Sequence, residues 1–204
     1  MRRLVFALVF SLSLCTLAFA QHAHHNSKRD AEERPATHVP GMSSHHHPVS
    51  TTNSEAQKFF DQGLRFVFAF NHDEAIRSFK QASKLDPNLA MAHWGIALAL
   101  GPNINLDVDP AREKAAYESA QKALSLAVKA PENERAYIEA LVKRYSIDPK
   151  ADLKQLAADY KNAMSQVFKR YPDDLNAATL YAESAMAFES TRKELCCVPR
   201  ATRV

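Results

Sequence analysis

The sequence predicts an all-α protein, an array of about seven antiparallel helices. Three observations predict it. Apolar residues after Ser54 recur at helical spacing. Alanine, the best helix former, is abundant over the same stretch. Only four glycines occur in 204 residues, which argues against a turn-rich β fold. A composition of 46% hydrophobic and 24% charged residues supports a sizeable core and excludes a disordered polyelectrolyte.

The helical stretch is preceded by two segments of different character. Residues 1–20 read as a secretory signal peptide. Arg2 and Arg3 form a positive start, Leu4 to Leu17 an apolar run, and Ala18-Phe19-Ala20 a cleavage site. Two rivals stay open. One is an uncleaved anchor, although the run is shorter than the ~20 residues of a spanning helix. The other is a lipoprotein signal at Leu12 to Cys15, where Leu14 replaces the usual small residue. Removal of the leader lowers the formal charge from +3 to +1. With basic and acidic residues interleaved, this balance gives no footprint for nucleic acid. Cys196 and Cys197 are then the remaining cysteines. Adjacent cysteines rarely pair with each other, so no disulfide framework is expected and the fold rests on its core.

Residues 21–53 hold seven of the nine histidines: His22, His24, His25, His38, His45, His46 and His47. Proline, serine, threonine and asparagine fill the rest, and no apolar period is present. The segment reads as a disordered, His-rich linker.

The first helix is expected to begin at Ser54, with Ser54 to Gln57 forming a capping box. Phe59, Gly63, Phe66 and Phe70 follow at helical spacing. A second start comes at Asn71, a capping residue, with Glu74 three positions on. Ala75, Phe79 and Ala82 mark the buried face of this helix, and Asp86-Pro87 ends it. The third helix, Leu89 to Leu100, is apolar nearly all round except for His93, so a central position is expected. Gly101-Pro102-Asn103 breaks it, and Asp109-Pro110 starts the next. That helix offers Ala116, Ala120, Ala123 and Ala127 on one face before Pro131. Three more are expected near 132–145, 149–170 and 174–187. Projected around its axis, the first helix carries an apolar arc of roughly 200°, wider than one packing stripe of ~100°. Part of that arc, with Phe60, Leu64 and Phe68, therefore needs a second cover.

The first hairpin resembles a tetratricopeptide repeat (TPR), a pattern of about 34 residues. Phe59, Gly63, Phe66, Ala75, Phe79, Ala82 and Pro87 fall in its register. The small residues there are expected to let the two helix backbones approach, with aromatics around them. A narrower resemblance covers residues 47–187. Ala56-Gln57, Phe60-Asp61-Gln62-Gly63-Leu64, Phe70-Asn71-His72-Asp73-Glu74-Ala75 and Trp94-Gly95-Ile96-Ala97-Leu98-Ala99 look like a group of exported bacterial TPR proteins of unassigned role. The resemblance implies an α-solenoid over 54–187 whose first helices line a concave groove. Phe60, Leu64, Met91, Trp94 and Leu98 would then face either a partner's apolar segment or further hairpins. Core packing among the helices present is the alternative. Members of that group are longer, and Ser190 to Val204 carries no apolar period, so 188–204 is expected to be an irregular tail. A shifted reading frame and a short natural tail both account for it.

The chemistry legible in the chain is sparse. His22, His24, His25, His45, His46 and His47 are the one metal-like set, suited to Zn, Cu or Ni, but their spacing matches no preorganised site. Asn103, Asn105, Asp107 and Asp109 alternate like a calcium loop, yet Val108 and Lys114 stand where glycine and glutamate are required. No nucleophile elbow, P-loop or dinucleotide fingerprint occurs. No cofactor is expected. The expected role is a non-catalytic scaffold that binds another protein or peptide segment, with periplasmic metal binding or a fragment of a larger multi-repeat protein as alternatives.

Overall fold

A computed structural model describes residues 35–103, 110–148 and 150–197, with side chains through residue 189. The leader at 1–20, His22, His24, His25, the polar loop through Asn105, Asp107 and Asp109, and residues 198–204 lie outside them.

Seven α-helices and one short 3-10 turn make up the described residues, with no β-sheet. They are α1 (Ser54–Phe68), α2 (His72–Leu85), α3 (Ala90–Leu100), α4 (Pro110–Leu126), α5 (Glu132–Val142), α6 (Leu153–Arg170) and α7 (Leu175–Cys197). Each helix packs on the next, except that the 3-10 turn Ala127–Lys129 also mediates between α4 and α5. Two further contacts skip one helix, α1 with α3 and α3 with α5. The all-α array expected from the sequence is therefore present.

Local chemistry explains the boundaries. Asn53, not Ser54, caps α1: its side chain accepts from the amides of Glu55 and Ala56. The expected box fails because the Gln57 side chain is bound instead to His47 and Asp61. Asn71 caps α2 as expected, accepting from the Glu74 amide. Phe70, in the turn between them, has φ 57°, a left-handed conformation costly for a bulky side chain. Asp152 caps α6, so this helix starts later than Pro149. The last helix runs through 188–197, where an irregular tail was expected. Residues 188–197 contain no glycine or proline, and Lys193, Glu194 and Leu195 favour a helix.

The core begins at α3, which is buried on nearly every side, as its composition requires. Against it, Ala116, Ala120, Ala123 and Ala127 form a buried face of small residues. Phe79 of α2 is fully buried between two glycines on neighbouring helices. A Cβ at Gly63 or at Gly95 would lie 2.5 Å from its ring. The glycine at the repeat position thus makes room for an aromatic ring rather than for a second backbone, and Gly95 does the same from the other side.

The histidine-rich linker is where the structure departs most from expectation. Residues 35–53 form a strap on α1. Gln62 receives the Val39 amide (2.9 Å) and donates to the Thr37 carbonyl (3.0 Å). Arg65 holds the Ser43 carbonyl at 2.9 Å. The strap then returns, with the Asp61 carboxylate accepting from the His47 amide (3.0 Å) and Gln57 accepting from the Val49 amide (3.0 Å). Glu134 of α5 takes both the amide (2.5 Å) and hydroxyl (2.7 Å) of Ser50. His47 and Val49 are buried. A segment without apolar periodicity is ordered here because side chains of α1 and α5 satisfy its backbone.

Candidate functional site

The five residues expected to line a groove do not share one open surface. Phe60, Leu64, Met91 and Trp94 are at most 3% exposed. His47 of the strap packs on Phe60 and edge-on to Tyr137, and Phe60 in turn packs on Phe79 and Trp94. The Trp94 indole donates to the Tyr137 carbonyl at 3.2 Å. The second cover demanded by the wide apolar arc of α1 is thus supplied partly by the chain's own histidines, and these four residues are core. Of the repeat-signature residues, Phe59, Ala75, Phe79 and Ala82 are buried, Phe66 is half-buried, and Pro87 sits exposed in the turn between α2 and α3.

Of the metal set, the described His45, His46 and His47 have separate partners. His46 pairs with Asp61 at 2.8 Å. His47 accepts from the Asn176 amide at 2.8 Å. His45 lies edge-on to Phe68. Of these three adjacent residues on the strap, His45 and His46 contact α1, while His47 reaches Asn176 of α7 and Tyr137 of α5. Among the described residues no group of three metal-ligating side chains converges.

What remains open is a cavity of about 590 Å³ beyond the strap. Leu98 of α3 is the one expected groove residue on its wall. Val67 and Phe68 close one side, and Leu180 and Met186 of α7 the other. Its rim carries Phe70, Leu175 and Met186, which are 51%, 77% and 53% exposed. Few large apolar side chains are that exposed among the described residues, and three of them meet at this mouth.

The polar groups of the cavity are specific. Arg144 follows α5, is 7% exposed and donates to the Pro102 carbonyl. Its guanidinium lies 4.7 Å from the Tyr160 ring centre and 3.9 Å from Glu183. Burial pushes the Glu183 carboxyl up, and Arg144 offsets this only in part. Burial lowers the His72 imidazole, with Arg112 adding to the effect, so His72 is held neutral. Its Nε2 faces the Asn103 amide nitrogen at 3.2 Å. With His72 Nε2 accepting from this amide, the imidazole proton sits on Nδ1. His72 Nδ1, His45 Nε2 and Glu183 Oε2 are all buried and have no hydrogen-bond partner. Five side-chain atoms of this kind are found among the described residues, and three of them belong to this cavity wall.

Sequence reasoning missed α7 as a wall and Arg144, Glu183 and His45 as cavity residues. One signal was present: Asp61 and Gln62 interrupt the apolar arc of α1 and mark where a polar strap returns. His72 begins α2, as expected, but it also faces the cavity. His93 is half-buried, with its imidazole lowered by burial. No described helix is long and apolar enough to cross a membrane. The chain matches no family model and no curated protein at a significant level.

Proposed function

We propose that the protein is a non-catalytic, exported scaffold of TPR-like hairpins that binds another protein at the mouth between α1, α3 and α7. The observation that carries this reading is the convergence of exposed Phe70, Leu175 and Met186 on one half-open apolar cavity. Exposed apolar clusters of this kind mark interaction sites. Among the described residues no group of three metal-ligating side chains converges there. The leader-like residues 1–20 support export.

The test starts with the chain immobilised after removal of residues 1–20 and exposed to periplasmic extract. A retained protein is identified, purified and re-bound alone. Leu175→Asp and Met186→Asp together should weaken that binding at least about ten-fold, because they place charge where apolar contact forms. Both positions are exposed, so the fold should hold by circular dichroism. Equal binding by the parent and the double variant overturns the reading.

A further inference from the structure

The cavity behind that mouth has features a protein-docking surface does not need. It is a defined space of about 590 Å³, within the ~300–1,000 Å³ of small-molecule sites. Its walls are mostly apolar, formed by Val67, Phe68, Leu98, Leu180 and Met186. Buried polar atoms in folded proteins nearly always have partners. Here three buried polar atoms of the wall have none: His72 Nδ1, His45 Nε2 and Glu183 Oε2. Leaving them unmet is costly, so a molecule that met them would gain affinity.

Charge narrows the class of molecule. Arg144 is already engaged by Pro102, Tyr160 and Glu183. An anion entering the cavity would meet the Glu183 carboxylate. A cation would compete with Arg144 for it. His72 offers an N–H, since Asn103 occupies its other nitrogen, and Glu183 Oε2 offers an acceptor. A hydroxyl or an amide is both donor and acceptor and carries no charge. We infer that the cavity binds an uncharged small molecule with an apolar body and a hydroxyl or amide head, held by His72 and Glu183.

Probes sharing one chain and differing in the head decide it: 1-decanol, decanamide, decanoate, decylammonium and decane. Calorimetry and thermal shift on the full chain should rank decanol and decanamide at least about ten-fold tighter than decanoate, decylammonium or decane. His72→Phe should remove most of the advantage of decanol over decane, leaving decane binding unchanged. Ala182→Phe, which places a ring on the cavity wall, should weaken binding of all five at least about ten-fold. The inference is overturned by tightest binding of decanoate or decylammonium, by absence of binding to any probe, or by unchanged binding in Ala182→Phe. A capped tri-leucine peptide that binds where decanol does not would assign the cavity to polypeptide and overturn it as well. The scaffold reading stands or falls separately, on Leu175 and Met186 and the captured protein.

Discussion

The first and last hairpins of the array are built alike and finished differently. In both, two helices bury their facing stripes against each other. In the first, the outer part of α1 is covered by the strap, so Phe60 and Leu64 are at most 1% exposed. In the last, α7 leaves Leu175 and Met186 more than half exposed beside a cavity. The difference lies in polar groups rather than apolar ones. Helix α1 carries Gln57, Asp61, Gln62 and Arg65, which bind the strap backbone from Thr37 to Val49. Helix α7 supplies Asn176 to His47 and then presents Thr179, Leu180, Ala182 and Glu183 to the open space. A helix face is closed here where it can satisfy the backbone of its cover.

Truncating a covered residue should sharpen this contrast most. Phe60→Ala should cost about 3–5 kcal/mol in urea unfolding, whereas Leu175→Ala should stay within about 0.5 kcal/mol. Comparable costs at the two sites would erase the distinction. Next come the glycines around Phe79. Gly63→Ala or Gly95→Ala drives a Cβ into a ring with no exposed edge, and about 1–3 kcal/mol of destabilisation is expected. Stability equal to the parent would show that the ring has room.

Releasing the strap is a perturbation of at most the same size. Glu134→Ala removes both acceptors of Ser50 and should cost about 1–3 kcal/mol. Amide exchange should quicken at 46–51 more than within α1. Uniform quickening would mean that the strap is no separate unit.

The smallest effect concerns pH. Burial lowers His47 below its usual 6.5, against a pull upward from Asp174. The unfolded chain therefore binds the proton more readily, and stability from this group is full above about 6.5 and declines as pH falls toward the folded value. Glu134 and Glu183, raised by burial, act in the opposite sense: their contribution is present at low pH and declines as pH rises through their folded values. Comparison with His47→Gln isolates the histidine. The parent should lose more stability than the variant between pH 7 and 5, and parallel curves would contradict this.

The helices were legible because their signals are local. Capping asparagines, the Asp86-Pro87 stop and the alanine face of α4 need no knowledge of distant residues. The width of the apolar arc on α1 correctly required a second cover, but its identity was not local. The cover is held by bonds spanning 84 residues, from Ser50 to Glu134, and 129 residues, from His47 to Asn176. Histidine clustering pointed to metal, while the fold uses His45, His46 and His47 for packing and hydrogen bonding. The cavity was illegible for a related reason. Its walls come from the end of α1, the end of α3 and the first half of α7, and of them only Leu98 had been expected to line a groove.

The central claim is that the strap closes the apolar face at α1 and α5 and leaves it open at α7. Hydrogen exchange on the intact chain tests it most directly. The amides of His47, Val49 and Ser50, each bound to a side chain of α1 or α5, should exchange at least about 100-fold more slowly than in an unstructured peptide. Exchange of those three amides at unstructured rates, with α1 itself protected, would contradict the account.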